Sequence, residues 1–95
     1  MSGGCPVFGF IVRFALRDGV ERDVGDAIAY DLVMLLQANG MSMGGGGDRE
    51  REYVITRDGA QASDADRQLV ATWSEHWKHD AAFRMTDLID VSDDD

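Results

Sequence analysis

The sequence is poor in cysteine, proline, lysine and long apolar runs. Of its 95 residues one is cysteine, one is proline, and eight of the nine basic residues are arginine. A lone cysteine excludes an internal disulfide and a cysteine metal cage, and no apolar run approaches the roughly 20 residues of a membrane helix. The 18 acidic residues give a net charge of -9, which disfavours generic nucleic-acid binding because phosphate contacts need cations. We therefore expect a cytoplasmic chain with no membrane or DNA partner.

An alternating apolar run near the start of the chain predicts the central strand of a sheet. Between Pro6 and Arg17 every second residue is large and apolar: Phe8, Phe10, Val12, Phe14 and Leu16. Side chains of a strand alternate between two faces, so a period of two buries one face. The other face carries Arg13 and a gap at Gly9, and we expect it to be more open. A buried helix is the alternative, but the Phe and Val content favours a strand.

A first helix is predicted from Val20 to Ala38, where apolar residues recur at three- and four-residue steps. It follows an Asp18-Gly19 turn, and Asp18 and Glu21 have the spacing of a capping box with Asp18 as the cap. Asn39-Gly40 should end the helix, because both residues tolerate a left-handed backbone.

A second helix is predicted to begin at Ser63, since Ser63 and Asp66 have the spacing of a capping pair. It closes at His79-Asp80. Trp73 and Trp77 lie four apart on the same stripe as Leu69 and Val70, which favours a place in the core over a ligand cage. We expect Trp73 to face the sheet.

The glycine-rich segment between the predicted helices is expected to be a hairpin with a long tip. Met41 to Met43 begins a second strand, Gly44 to Gly47 with Asp48 forms a flexible turn, and Tyr53 to Thr56 forms a third strand. The four glycines lack the Lys and Ser/Thr of a P-loop. The alternative to a merely flexible turn is a contact surface, because bare backbone permits close approach of a large partner.

A last strand is predicted from Ala81 to Val91, and residues 92–95 are expected to form an acidic tail. The whole chain, 1–95, is then one domain with a flexible terminus at residues 1–5. The element order is strand, helix, strand, strand, helix, strand. This pattern predicts an α+β, ferredoxin-like fold with a four-stranded antiparallel sheet and both helices on one face. The fold hosts many functions, so it does not decide this one.

Signals for catalysis, metals and cofactors are weak. His76 and His79 are three apart on the second predicted helix, a spacing that can hold a metal, but a third convincing ligand is missing. No nucleophile has a base at a recognisable spacing, and Cys5 has no obvious activator. We therefore expect a non-enzymatic protein without a metal or another cofactor.

A contact with RNA would have to come from a local cluster of arginines. Arg13 and Arg17 are four apart on an alternating strand and should share its open face, while Arg49 and Arg51 flank the glycine tip and Arg57 ends the third strand. The candidate binding residues are Arg13, Arg17, Gly44, Gly45, Gly46, Gly47, Arg49, Arg51 and Arg57. We expect these arginines to be exposed and to contribute little to folding.

Several short motifs together resemble the YggL-like family, small bacterial proteins that bind the large (50S) ribosomal subunit. The resemblance covers about Gly9 to Val91. In chain order it is carried by Gly9-Phe10, Val12, Arg13-Phe14, a helix ending near Asn39, the apolar-to-glycine segment Met41 to Gly46, then Asp66, Val70 and Trp73, and finally Leu88 and Asp90.

The resemblance implies a ribosome-associated binding module whose partner is protein or rRNA of the large subunit. Two features depart from the family: relatives carry a basic N-terminal extension and tend to end the closing strand in Trp. Here no basic residue precedes Pro6, and Ser92 with three aspartates ends the chain. Both differences remove groups suited to rRNA. The alternative is an acidic protein-protein adaptor that does not contact RNA, and the sequence leaves the oligomeric state open.

Overall fold

The computed structural model describes residues 6–92, in which five strands and two helices follow one another. The predicted flexible terminus and the last three residues of the predicted acidic tail lie outside the described residues. The elements are β1 (Phe8–Leu16), α1 (Arg22–Ala38), β2 (Met41–Gly47), β3 (Glu50–Arg57), α2 (Asp64–Ser74), a 3-10 turn (Glu75–Trp77), β4 (Ala81–Met85) and β5 (Ile89–Asp90).

The strands form one antiparallel sheet in the order β2-β3-β1-β4, with β5 paired to the start of β1. The central position predicted for β1 is confirmed, since it pairs with three strands. The predicted element order is also confirmed. The sheet of residues 6–92, however, has five strands instead of the predicted four.

The fifth strand arises because the predicted last strand is divided at Thr86. The Thr86 amide donates to the Ile11 carbonyl at 3.0 Å, and its hydroxyl accepts from the Ile11 amide at 3.0 Å. The same hydroxyl donates to the carbonyl of Asp87 at 2.8 Å. Thr86 thus keeps one backbone bond to Ile11 and replaces the return bond with a bond to its hydroxyl. The chain then leaves the sheet before Ile89 pairs with Gly9. Such local bonding by Ser and Thr competes with strand pairing.

One face of the sheet is covered by both helices and forms the core. Every second residue of β1 from Phe10 to Leu16 is buried, as predicted, whereas Phe8 remains 38% exposed. These side chains form one cluster with α1 and α2. The buried members of the cluster include Phe10, Val12, Phe14, Leu16, Tyr53 and Ile55 from the sheet, and Ile28, Leu32, Leu36, Val70 and Trp73 from the helices. Burial of this apolar area is the main force that holds the helices on the sheet.

Trp73 faces the sheet, as predicted, with 7% of its surface exposed. Its ring meets the edge of Phe83 with centroids 5.7 Å apart, an arrangement that the ring quadrupoles favour. The indole nitrogen donates to Asp31 of α1 at 2.8 Å. The side chain therefore joins α2 to β4 by packing and to α1 by a hydrogen bond.

The two helix starts differ in how well local sequence predicted them. The Ser63 hydroxyl accepts from the Asp66 amide at 3.3 Å, and Asp66 accepts from the Ser63 amide at 3.0 Å, so the capping box is confirmed. The predicted cap at Asp18 is wrong: Asp18-Gly19 forms a turn, and α1 begins after Glu21 without a side-chain cap. The backbone before this helix is held instead by a distant arginine, Arg49.

Candidate nucleic-acid or protein interface

The two helices cover one face of the sheet and leave its other face open. Register places Arg13 beside Glu52 on β3 and beside Arg84 on β4. We call this surface the open face; its residues are Ile11, Arg13, Ala15, Gly44, Gly46, Glu50, Glu52, Val54, Ala82 and Arg84. A shallow depression of about 600 Å³ lies on it, lined by both arginines, both glutamates and small residues. Small side chains at its floor leave the backbone accessible to a large partner.

Two arginines face each other across neighbouring strands of the open face. Arg13 and Arg84 are directly opposite in the β1–β4 register. The Arg13 Nε donates to Glu52 at 2.8 Å, with about half of each side chain exposed. Arg84 is exposed and forms no ion pair within residues 6–92. Like charges directly opposite each other destabilise a sheet, and the ion pair with Glu52 offsets part of this repulsion.

Arg17 directly follows the last residue of β1, Leu16, and its side chain is held by backbone. Its Nε donates to the carbonyl of Lys78 at 2.8 Å, and its amide donates to the carbonyl of Asp80 at 2.9 Å. These bonds connect the end of β1 to the segment before β4. The strand register ends at Leu16, so the shared face of Arg13 and Arg17 stays a prediction.

Arg49 holds the backbone before α1. Its guanidinium donates to the carbonyls of Val20 at 2.7 Å and Arg17 at 3.0 Å. The two-residue turn between β2 and β3, Asp48 and Arg49, is thereby attached to the segment between β1 and α1. Its two carbonyl contacts give this arginine a structural role that needs no ligand.

Arg51 is buried, with 8% of its surface exposed, so the expectation that it is an exposed arginine is wrong. It points to the covered face, where its guanidinium donates to Asp26 at 2.9 Å and to the Asp48 carbonyl at 2.7 Å. Gly25 of α1 makes room for it, since a Cβ there would approach the guanidinium to 2.8 Å. Replacing Arg51 with Glu would leave Asp26 beside a second acid and remove the buried packing. Substitution of Arg51 would therefore change stability as well as binding, so it does not test binding alone.

Arg57 is tied to the start of α2. It donates to both carboxylate oxygens of Asp66, whose side chain is 6% exposed, and to the Asn39 carbonyl at 3.0 Å. The hydrogen bonds from Arg57 lower the pKa of Asp66 below its usual value, and the Ser63 amide acts in the same direction. This bidentate pair joins β3, α1 and α2, so it supports the fold.

The glycine run does not form a flexible turn. Gly44 to Gly47 belong to β2 and pair with Val54 to Arg51 of β3. Gly45 and Gly47 have φ of 138° and 146°, and a Cβ on either would collide with a carbonyl of β3. Gly44 and Gly46 lie on the open face, where a Cβ would meet nothing within 4 Å. The backbone conformation and the neighbouring carbonyls therefore require glycine at positions 45 and 47, whereas positions 44 and 46 could hold a larger residue.

No group of three or more His, Cys, Asp or Glu residues in the described part of the chain converges on a possible metal site. His76 and His79 are both exposed. Within residues 6–92, no helix has the length and apolarity needed to span a membrane.

A match to one family model decides which family the chain belongs to. The model described as YggL 50S ribosome-binding protein matches residues 5–92. The chain belongs to this family. Searches of curated proteins and of solved structures found no match. The resemblance inferred from short motifs is therefore confirmed, and the match reaches from the residue before Pro6 through the described C-terminal end.

The family description refers to binding of the 50S subunit and names no residue that performs it. Of the nine residues predicted for binding, the structure places Arg13, Gly44 and Gly46 together on the open face. Arg84 and Glu52 complete that surface, and sequence reasoning missed both. Arg84 could have been found by alternation, because it lies between the partly buried Phe83 and Met85 in β4.

Proposed function

We propose that this member of the YggL 50S ribosome-binding family is a non-enzymatic module that binds the large ribosomal subunit through its open face. Family membership supports the partner. The opposed arginines, Arg13 and Arg84, support the surface, and a ribosomal partner implies a cytoplasmic location. In this proposal the two guanidiniums contact rRNA phosphates, which they match in charge and in hydrogen-bonding geometry.

The small residues beside Arg13 and Arg84 favour contact with a large partner rather than a small ligand. Gly44 and Gly46 expose backbone on the open face, and Ala15 and Ala82 add no bulk. The shallow depression on the open face can therefore admit an RNA backbone or an extended protein segment. It lacks the exposed aromatic side chains on which single-stranded bases usually stack, so shape and phosphate contacts would have to provide the affinity.

The adaptor alternative is favoured by a specific feature of the same surface. Glu50 and Glu52 balance the two arginines, and the chain as a whole carries a net charge of -9. A charge-balanced face suits a protein surface of mixed charge better than bare RNA. Binding affinity measured at increasing salt concentration distinguishes rRNA binding from the adaptor function. Phosphate contacts weaken steeply as salt rises, whereas an apolar protein contact does not.

Co-sedimentation with separated ribosomal subunits tests the proposal. The purified chain is expected to pellet with the 50S subunit and not with the 30S subunit. The double variant Arg13→Glu/Arg84→Glu should lose this binding. Both side chains are exposed, and the melting temperature is measured beside the binding, because a glutamate at position 13 would lie opposite Glu52 and lower it. A matched control is Arg22→Glu/Lys78→Glu, which changes the net charge equally on exposed residues away from the open face.

The control identifies what a loss of binding means. If both double variants lose binding equally, overall charge is responsible and the open face is not the site. If the Arg13→Glu/Arg84→Glu variant pellets as the wild type does, the assigned surface is wrong. If the wild-type chain pellets with neither subunit, the adaptor function replaces the ribosomal one.

A further inference from the structure

The outer side of α1 carries large apolar side chains that the fold leaves exposed. Tyr30 is 67% exposed and Met34 is 49% exposed. They are four residues apart and therefore neighbours on the helix surface, and Ala27, also exposed, adjoins Tyr30 and Met34 at spacings of three and seven. Single exposed apolar residues are ordinary. Ala27, Tyr30 and Met34 form a row on the side of α1 opposite the buried Ile28, so packing of the core does not explain why they are apolar.

Trp77 extends this apolar line toward the 3-10 turn. Its indole nitrogen donates to the Asp31 carboxylate at 3.0 Å, while the ring remains partly exposed. Asp31 is four residues after Ala27 and three before Met34, so all three share one flank of α1. The Trp77 ring consequently lies alongside that flank. We call Ala27, Tyr30, Met34 and Trp77 the Tyr30 patch.

The α1 side of the Tyr30 patch is negatively charged. No Lys or Arg occurs from Asp23 to Ala38. Asp23 is exposed and forms no ion pair within residues 6–92. Asp31 accepts from two neutral indoles, and the hydrogen bond from Trp73, followed by that from Trp77, lowers the pKa of its carboxyl. Its charge is therefore present at neutral pH. Within residues 6–92 no Lys or Arg pairs with it, and His76 lowers its pKa further by a weaker Coulombic attraction.

We propose that the Tyr30 patch docks a basic, amphipathic segment of a protein partner. The apolar side chains of such a segment would cover Tyr30 and Met34, while its Lys or Arg side chains would meet Asp23 and Asp31. The flexible thioether of Met34 adapts to different apolar surfaces. Helical segments recognised in this way present apolar anchors at helical spacing.

Charge excludes the other two obvious occupants. RNA would bring phosphates toward Asp23 and Asp31, and a second copy of this chain would bring another acidic surface. Both approaches are opposed by repulsion between like charges. The Tyr30 patch also lies on a helix that covers the opposite side of the sheet from the open face, so this proposal does not depend on ribosome binding.

Calorimetric titration with a synthetic probe tests the proposal. The probe is a 14-residue peptide of Leu and Lys arranged as an amphipathic helix, with a Lys-only peptide of equal charge for comparison. We expect the first peptide to bind the wild-type chain and the variant Tyr30→Ser/Met34→Ser to bind it about tenfold more weakly, the size expected when anchor side chains are truncated. Asp23→Lys should also weaken the binding.

The matched control is Val7→Ser/Ile89→Ser, which removes two exposed apolar side chains elsewhere and should leave the affinity unchanged. Melting temperatures verify that all variants fold. The proposal is overturned if the wild-type chain does not bind the Leu/Lys peptide, or if the Tyr30→Ser/Met34→Ser variant binds it as the wild type does. If the Lys-only peptide binds equally well, charge attraction alone explains the binding. If an RNA oligonucleotide competes with the Leu/Lys peptide, the patch binds RNA. If the wild-type chain is a dimer and the Tyr30→Ser/Met34→Ser variant is not, the patch binds a second copy of the chain. Each of these results also overturns it.

Discussion

At the scale of single residues, the arginines divide into those that hold the fold and those that face solvent. Arg49, Arg51 and Arg57 each bind two or more groups from other elements. A guanidinium has five donors in a fixed fork, so one arginine can satisfy several backbone carbonyls at once. Arg13 and Arg84 have no such structural task on the open face.

Glu52 restrains one of these two arginines. Its carboxylate accepts from the Arg13 Nε at 2.8 Å in the free chain, so a phosphate must compete with it. Glu52→Gln should therefore strengthen binding to the 50S subunit at low salt by up to about fivefold, since an exposed ion pair is worth at most about 1 kcal/mol. Affinity is measured by subunit pelleting at increasing chain concentration.

Glu75→Gln serves as the matched variant for this prediction. It removes the same charge and releases Lys78 from an exposed ion pair at the 3-10 turn, away from the open face. Equal strengthening by both variants would show that net charge, not the release of Arg13, controls the affinity.

At the scale of elements, β2 shows two different uses of glycine in one strand. Gly45 and Gly47 have a positive φ beside carbonyls of β3, whereas Gly44 and Gly46 face open space on the other side. The first pair is required for the strand to fit its neighbour. The second pair leaves the open face bare, which suits the close approach of a partner.

Alanine substitutions separate these two roles. Gly45→Ala and Gly47→Ala should each lower the free energy of unfolding by about 1–3 kcal/mol, the usual range for a backbone conformation that suits only glycine. Gly44→Ala and Gly46→Ala should leave it unchanged or raise it by up to about 1 kcal/mol, because alanine restricts the unfolded chain. Urea denaturation measures all four. Equal losses at Gly44 and Gly45 would contradict the assignment of faces.

At the scale of the whole molecule, two carboxylates join elements that are distant in the chain. Asp66 binds Arg57 of β3 at the start of α2, and Asp31 of α1 accepts from Trp73 and Trp77. The bond from Arg57 lowers the pKa of Asp66, and the bonds from the two indoles lower the pKa of Asp31. The folded state therefore prefers both groups ionised.

The stability of the chain should fall in acid for this reason. A carboxyl whose pKa is lowered on folding contributes stability above its unfolded value, near 3.8 for Asp, and loses it as pH falls through the folded pKa. Asp66→Asn should therefore be less stable than wild type at pH 7, and the difference should shrink as pH falls below about 4. Urea midpoints at pH 7 and in acid measure it.

Asp23→Asn is the control for the acid prediction, because Asp23 is exposed and has no ion pair within the described residues. A difference between Asp66→Asn and wild type that stays constant from pH 7 into acid would remove Asp66 from the explanation.

The sequence by itself determined the features that depend on neighbouring residues. Alternation predicted the buried and open faces of β1, and the Ser63–Asp66 spacing predicted the start of α2. The order of short motifs also predicted the family. For β1 and α2 the deciding interactions lie within one element or follow directly from its period.

Only the tertiary structure decided which arginines are available to a partner. Arg51 binds Asp26 of α1 and Arg49 binds carbonyls before that helix, whereas Arg84 meets Arg13 only because β4 pairs with β1. No local pattern encodes these contacts, since a guanidinium reaches whichever acceptors the packed elements bring within hydrogen-bond distance. The same sheet pairing placed two glycines against carbonyls of β3 and two on the open face.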